Sequence, residues 1–315
     1  GYFKGWLEQR PEVWADYVTA RDAKFRQLKA QGGLRRSYEQ ATEGRTGIDA
    51  FDHWTKELVE TGYLHNHARM WFASIWIFTL KLPWELGADF FLQHLIDGDA
   101  ASNTLSWRSV GGLHSKGKSY LATKENIVQF TDGRFSAIGL AAETMPLEDE
   151  KNYKLRPLKI PPAPPAAAAF ALLVHEEDCH PESLILAQKP SLIIGVSGPD
   201  TKSPKGVSDK VRAFSNGAVA DAMTRAATHF DCEVVLWKKG EKLSAVLANA
   251  KLERLLSPWL PVGALKDAIG KEINGNSARW VMRDYDAAIW PLANRGYFPV
   301  KKKAPDALRA IGMDL

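Results

Sequence analysis

Residues 61–70 read TGYLHNHARM, and the apolar run MWFASIWIF follows at 70–78. Gly62 and the residues after it mark a turn, and the apolar run marks a buried helix. Two histidines, an asparagine and an arginine are packed into the junction. A core helix does not need so much polar chemistry at its start. A site that grips a flat, charged, partly apolar ligand does, with the polar residues as its rim and the apolar run as its wall.

Working outward, FFLQHLIDGDAASNTLSW at 90–107 carries the next polar group. Asp99, Asn103 and Trp107 are spaced by four and fall on one helical face. Asp97 stands at the edge of an apolar helix, and a carboxylate there needs a partner, for which Arg69 is the candidate. The residues alone leave two readings open. In one, Arg69 and Asp97 are a structural pair joining two helices, and the rest are caps and packing. In the other they line a ligand. A metal held by His65, His67, Asp97 and Asp99 is disfavoured, because the rings of an H-x-H at a helix start point apart and no further ligand motif supports it.

The chain has 315 residues, 45% hydrophobic and 25% charged, enough for two domains with cores of their own. A net charge of +4 is compatible with nucleic acid without indicating it. Cys179 and Cys232 have no metal-type spacing and suit a reduced, cytoplasmic compartment. The longest apolar run is too short to span a bilayer. The opening YFKGWLEQRP reads like the middle of a domain, so further residues are expected before Gly1. Of eleven tryptophans, seven fall at or before Trp107, where an aromatic core accounts for them.

The first part reads as all helical. Pro11 suits a first helical turn, and Trp14, Val18, Phe25 and Leu28 keep one face up to Gly32 and Gly33. Asp49 is placed to cap a helix that stops at Gly62. The apolar helix ends at Pro83, and another is expected from Ala88 to about Ile96. Residues 146–169, rich in Pro and Ala, read as a linker. Beyond it ALLVH (171–175), SLIIGV (191–196), CEVVLW (232–237) and RWVM (279–282) read as buried strands. They alternate with helical stretches at 211–229 and 241–256, the pattern of a parallel α/β sheet. The loop SGPDTKSPKG matches no phosphate-binding motif and reads as surface. The lysines at 301–303 read as a solvated face.

The run RTGIDAFD…TGYLHNHARM…LIDGDAASNTLSW resembles the FAD-binding domain of the photolyase/cryptochrome family. The family pattern is TG-x-P-x-V-D, then TG-[WY]-[ML]-HN-R-x-R-M, then L-[IL]-D-x-D-x-A-x-N-x-G-x-W, met in order over about residues 45–110. The resemblance implies an all-α FAD-binding domain of photolyase/cryptochrome type over residues 1–145, followed after the linker by a smaller α/β domain, Rossmann-like with a mostly parallel sheet, over 170–315. It implies FAD as cofactor, bound by Asn66, Arg69, Asp97, Asp99 and Asn103. Asn103 matches the asparagine facing the flavin N5, Arg69 and Asp97 an ion pair beside the ring, Asp99 the carboxylate at its polar edge, and Asn66 the asparagine near flavin and substrate. Trp107 and Trp84 match the first two tryptophans of the family's electron-transfer chain. The implied function is blue-light-driven electron transfer, in a photolyase-like lyase acting on damaged DNA or in a light sensor. The α/β domain has weak echoes of the family's antenna domain in ALLVHEEDCHPESL and VMRDYDAAIWP, and a second chromophore or a nucleotide is expected there. No membrane partner and no metal is expected.

The departures are specific. The proline of TG-x-P is Asp49, and the arginine after HN is His67. The second tryptophan of the family's W-x-W, which stacks on a flipped pyrimidine dimer, is Ser109; losing such a platform weakens lesion binding by ~1–3 kcal/mol. The family's phosphate-binding loop lies upstream of YFKGWLE and is not in this sequence. The alternative is a flavin-free scaffold that serves as a nucleic-acid or protein interaction module.

Overall fold

A computed structural model describes residues 1–115, 117–148, 151–162, 169–238, 240–276 and 278–313. Part of the Pro/Ala-rich stretch expected as a linker, including 163–168, lies outside them. The chain forms two compact units. One comprises residues 12–153 with 202–211, the other residues 1–11, 154–201 and 212–315.

The first helix, α1 (Tyr2–Glu8), belongs to the second unit. The helical unit begins with α2 (Glu12–Ala30), α3 (Gly32–Thr42), α4 (Asp49–Thr61) and α5 (Asn66–Ser74). It continues with α6 (Trp84–His94), α7 (Ala100–Val110) and α8 (Lys124–Phe130). The buried face of α2 carries Trp14, Tyr17, Arg21 and Leu28. Gly32 and Gly33 begin α3 instead of breaking the chain there. A π turn over Ile75–Thr79 extends α5, and its last residue, Thr79, accepts the Ala141 N–H at 3.0 Å. Helix α6 starts at Trp84, four residues before the expected Ala88, because Pro83 supplies the extended N-cap.

Asp49 does not occupy the N-cap of α4; Ile48 does, without a side-chain cap bond. Asp49 stands inside the first turn, where its carboxylate accepts Ser136 N–H at 2.8 Å, Ser136 O–H at 2.7 Å and Ala137 N–H at 3.0 Å. Asp52 closes the preceding turn by accepting Thr46 N–H at 2.8 Å and Gly47 N–H at 2.9 Å. The core is aromatic: Phe51 stacks on Phe72 at 4.3 Å, and Trp76 and Trp107 meet edge-on at 6.2 Å. Gly87 makes this packing possible, since a Cβ there would lie 2.3 Å from the Trp107 ring.

The other unit holds a five-stranded parallel sheet of order β3-β2-β1-β4-β5. Its strands are β1 (Ala171–His175), β2 (Leu192–Val196), β3 (Glu233–Leu236), β4 (Leu255–Pro258) and β5 (Arg279–Val281). Its helices are α9 (Asp209–Phe230), α10 (Leu243–Asn249), α11 (Ala264–Gly275), α12 (Asp284–Ile289) and α13 (Tyr297–Ala310). Both sheet faces are buried, as parallel sheets require: Leu173 and Ile194 pack on one side, Leu172, Val174 and Ile193 on the other. The helical stretch expected over 241–256 ends at Asn249, and Leu255–Pro258 is a strand. By residue ranges the sheet-bearing unit is the longer of the two.

The sequence groups residues 1–11 with the helical region, whereas their contacts lie with the sheet. Helix α1 packs on Trp290–Leu292. Gln9 Nε2 donates to Trp290 O at 2.9 Å, and Lys4 Nζ reaches Glu177 at 2.6 Å. The Glu8 carboxylate accepts the Val262 N–H and faces Lys266 at 3.5 Å. Burial pushes that carboxyl above its ordinary range, against Lys266 and the Val262 N–H, which pull it down.

Candidate functional site

The TGYLHN segment is a short turn between α4 and α5. Gly62 closes α4 in the left-handed conformation (φ 75°), with its N–H on Leu58 O at 2.8 Å. The Gly62 carbonyl accepts Ile96 N–H at 3.0 Å, tying this turn to the one that leads into α7. His65 caps α5, its ring accepting His67 N–H at 3.3 Å. The two imidazoles lie edge to face, 5.4 Å apart.

Arg69, one turn into α5, donates from Nε to Leu64 O at 2.8 Å and from Nη2 to Asp97 at 2.9 Å. Its guanidinium lies 5.6 Å from the Tyr63 ring centroid. The pair expected from the sequence therefore forms, but not in a dry pocket: the Asp97 side chain is 54% exposed. It lies in the turn Leu95–Asp99, beyond the end of α6, where the backbone lifts it out of the apolar core. Asp99 caps α7 by accepting Ser102 N–H at 2.7 Å. One turn on, Asn103 is buried and its amide donates to Ala88 O at 2.8 Å. Asn66 occupies the first turn of α5 and is exposed.

Helices α5 and α7 pack on one another, so this polar set lies at the start of two neighbouring helices. It combines donors (Arg69 and the two asparagine amides) with acceptors (Asp97, Asp99 and the asparagine carbonyls). A flavin's pyrimidine edge alternates carbonyls and N–H groups and calls for both kinds. Behind the set, Trp107 Nε1 and Thr104 Oγ1 are buried without a hydrogen-bond partner among the described residues. Buried polar groups in that state are what a polar ligand would satisfy. The residues present thus fit a flavin.

Trp107 and Trp84 are both buried. The ring neighbours of Trp107 are Phe72, Trp76 and Phe91, the last at 5.1 Å. Trp84 packs on Tyr17 at 5.5 Å and lies 6.0 Å from the Arg108 guanidinium. Ser109 and His67, two of the departures from the family pattern, are exposed.

One polar cluster was not anticipated. Asp89 of α6 is fully buried and accepts from Ser203 Oγ at 2.8 Å and Gln93 at 2.7 Å, with Arg21 at 3.5 Å. Its partners come from residues far away in the chain, but a lone acid within LGADFFL was the available signal.

Residues 2–132 match the family described as the FAD binding domain of DNA photolyase. The helical region is thus similar to the FAD-binding domain of DNA photolyase. It is 44% identical over 66 residues to a deoxyribodipyrimidine photo-lyase of Neurospora crassa, covering 21% of this chain and 11% of that protein. It is 35% identical over 107 residues to a deoxyribodipyrimidine photo-lyase of Streptomyces griseus, covering 34% and 22%. It is 37% identical over 70 residues to Cryptochrome-1 of Arabidopsis thaliana, covering 22% and 10%. The aligned part therefore spans no more than about a fifth of these relatives. No solved structure matches the chain. No helix among the described residues is long and apolar enough to cross a membrane.

Proposed function

We propose that the chain is a flavoprotein that uses blue light to drive electron transfer from FAD, as a light sensor or in a photolyase-like lyase acting on damaged DNA. What carries the reading is the ordered set Asn66, Arg69, Asp97, Asp99 and Asn103 at the starts of α5 and α7, within the segment that matches the family. FAD, when bound, supplies absorption of blue light and one-electron chemistry. Asn103 presents its amide toward the cofactor from a rigid helix, and its bond to Ala88 O fixes that orientation. Arg69 supplies positive charge and Asp97 holds the guanidinium in place. Asp99 keeps the α7 N-terminus formed and offers an acceptor at the rim. Trp107 and Trp84 are buried, readily oxidised indoles on the two helices behind the set.

Ser109 and His67 favour sensing over dimer repair. An exposed serine gives a flipped base no face to stack on, and an imidazole lacks the bidentate fork with which arginine holds a phosphate. The test is an absorption spectrum of the chain incubated with FAD, in the dark and after blue light with a mild reductant. Retained flavin that bleaches in the wild type, with altered bleaching in Asn103→Ala, is the expected result. A protein that retains no flavin would overturn the reading in favour of a scaffold, and a salt-sensitive interaction with DNA would then be the property to measure.

A further inference from the structure

In the sheet order β3-β2-β1-β4-β5, strand β3 lies at an edge and pairs with β2 alone. The Trp237 N–H reaches Gly195 O at 2.8 Å, so Glu233, Val235 and Trp237 turn their backbone groups toward β2. Val234 and Leu236 therefore turn their N–H and C=O groups to the open side. Their side chains share one face of the sheet and are 44% and 48% exposed. Val235 packs on the other face, against the core. Proteins blunt such edges with a proline, a bulge or a central charge. The run Val234-Val235-Leu236 has no proline and no charge, and its register with β2 is unbroken.

The flanking charges select what covers it. Asp231 and Glu233 stand at the start of the strand and Lys238 just beyond its end. All three are exposed, and none forms an ion pair among the described residues. A strand with an acidic start and a basic end repels a copy of itself laid parallel and attracts one laid antiparallel. A two-fold axis through Val235 meets the backbone requirement as well. It sets Val234 opposite Leu236 of the second copy, and these residues can exchange both N–H···O bonds, as a narrow antiparallel pair does. The same axis gathers Val234 and Leu236 of both copies on one face, where they cover one another. The edge is its own complement in hydrogen bonds, apolar surface and charge.

We propose that β3 is a self-association edge, at which two copies of this chain pair antiparallel across a two-fold axis and join their sheets into one. The proposal does not rest on flavin binding by the helical unit.

The test is sedimentation velocity of the chain over a concentration series reaching about 1 mM, the weak end of measurable association. A reversible monomer–dimer equilibrium is expected. Val234→Lys is expected to weaken it about tenfold or more with the far-UV circular dichroism unchanged. Val59→Lys, at a valine of the helical unit that is 40% exposed, leaves it as it was. Glu233→Lys and Lys238→Glu are each expected to weaken self-association. An equimolar mixture of these two variants recovers it, because each end then joins opposite charges again. A chain that stays monomeric throughout would overturn the proposal and leave the edge to an extended segment of another protein. A dimer unmoved by Val234→Lys would overturn it by placing the interface elsewhere. A mixture as weak as its separate variants would overturn the antiparallel pairing.

Discussion

Asp89 and His94 stand on the same helix, and burial moves them in opposite directions. Burial pushes the Asp89 carboxyl up to about 6, against Ser203, Arg21 and Gln93, which pull it down. Burial pushes the His94 imidazole down to about 4. For Asp89 the folded state holds its proton more tightly than the unfolded chain, so its contribution to stability falls as pH rises from about 4 to about 6. For His94 the folded state holds the proton less tightly, so stability is lost as pH falls from about 6.5 toward 4. The two slopes oppose each other over the same range. Chemical denaturation between pH 4 and 7 is expected to show a steeper acid loss in Asp89→Asn and a shallower one in His94→Gln. The Asp89 part amounts to about 2–3 kcal/mol between the ends of its range. A pH profile unchanged in both variants would contradict this. Arg69 with Asp97 was legible from spacing and charge, because both sit in polar segments of a specific motif, Arg69 in the first turn of α5 and Asp97 in the turn before α7. Asp89 was not, because Ser203 lies 114 residues away and no local pattern pairs them.

At the scale of elements, punctuation read well and packing did not. Gly62 and Pro83 mark true boundaries, because a left-handed cap and a missing N–H act locally. β4 was lost because LERLLSP continues the helical apolar spacing from Leu243. Only its ladder with β1 and β5 makes it a strand, and a ladder is a non-local fact. Gly87 illustrates the same limit. In sequence it is an ordinary helix glycine, yet the Trp107 and Trp76 rings occupy the space a side chain would need. Gly87→Ala would ordinarily favour a helix by about 1 kcal/mol. Here it is expected to destabilise the helical unit by about 1–3 kcal/mol through overpacking and to alter the near-UV circular dichroism of Trp107. A stabilised variant would show that the ring moves aside freely.

At the scale of the whole chain, the sequence showed both classes of architecture, since helical and buried-strand periodicities differ sharply. It could not show that the sheet-bearing unit is discontinuous. Helix α1 carries no strand signal, and what assigns it is its fit to Trp290–Leu292. A Cβ on Gly5 would come within 2.7 Å of the Trp290 backbone, so Gly5→Val is expected to unseat α1. Hydrogen exchange should then quicken in β4, β5 and α12 while the helical unit keeps its protection; quickening confined to the helical unit would refute the assignment. The polypeptide thus leaves its first eleven residues as a clasp for a fold whose remainder is made only after residue 153 has been passed. During synthesis that clasp waits for its seat.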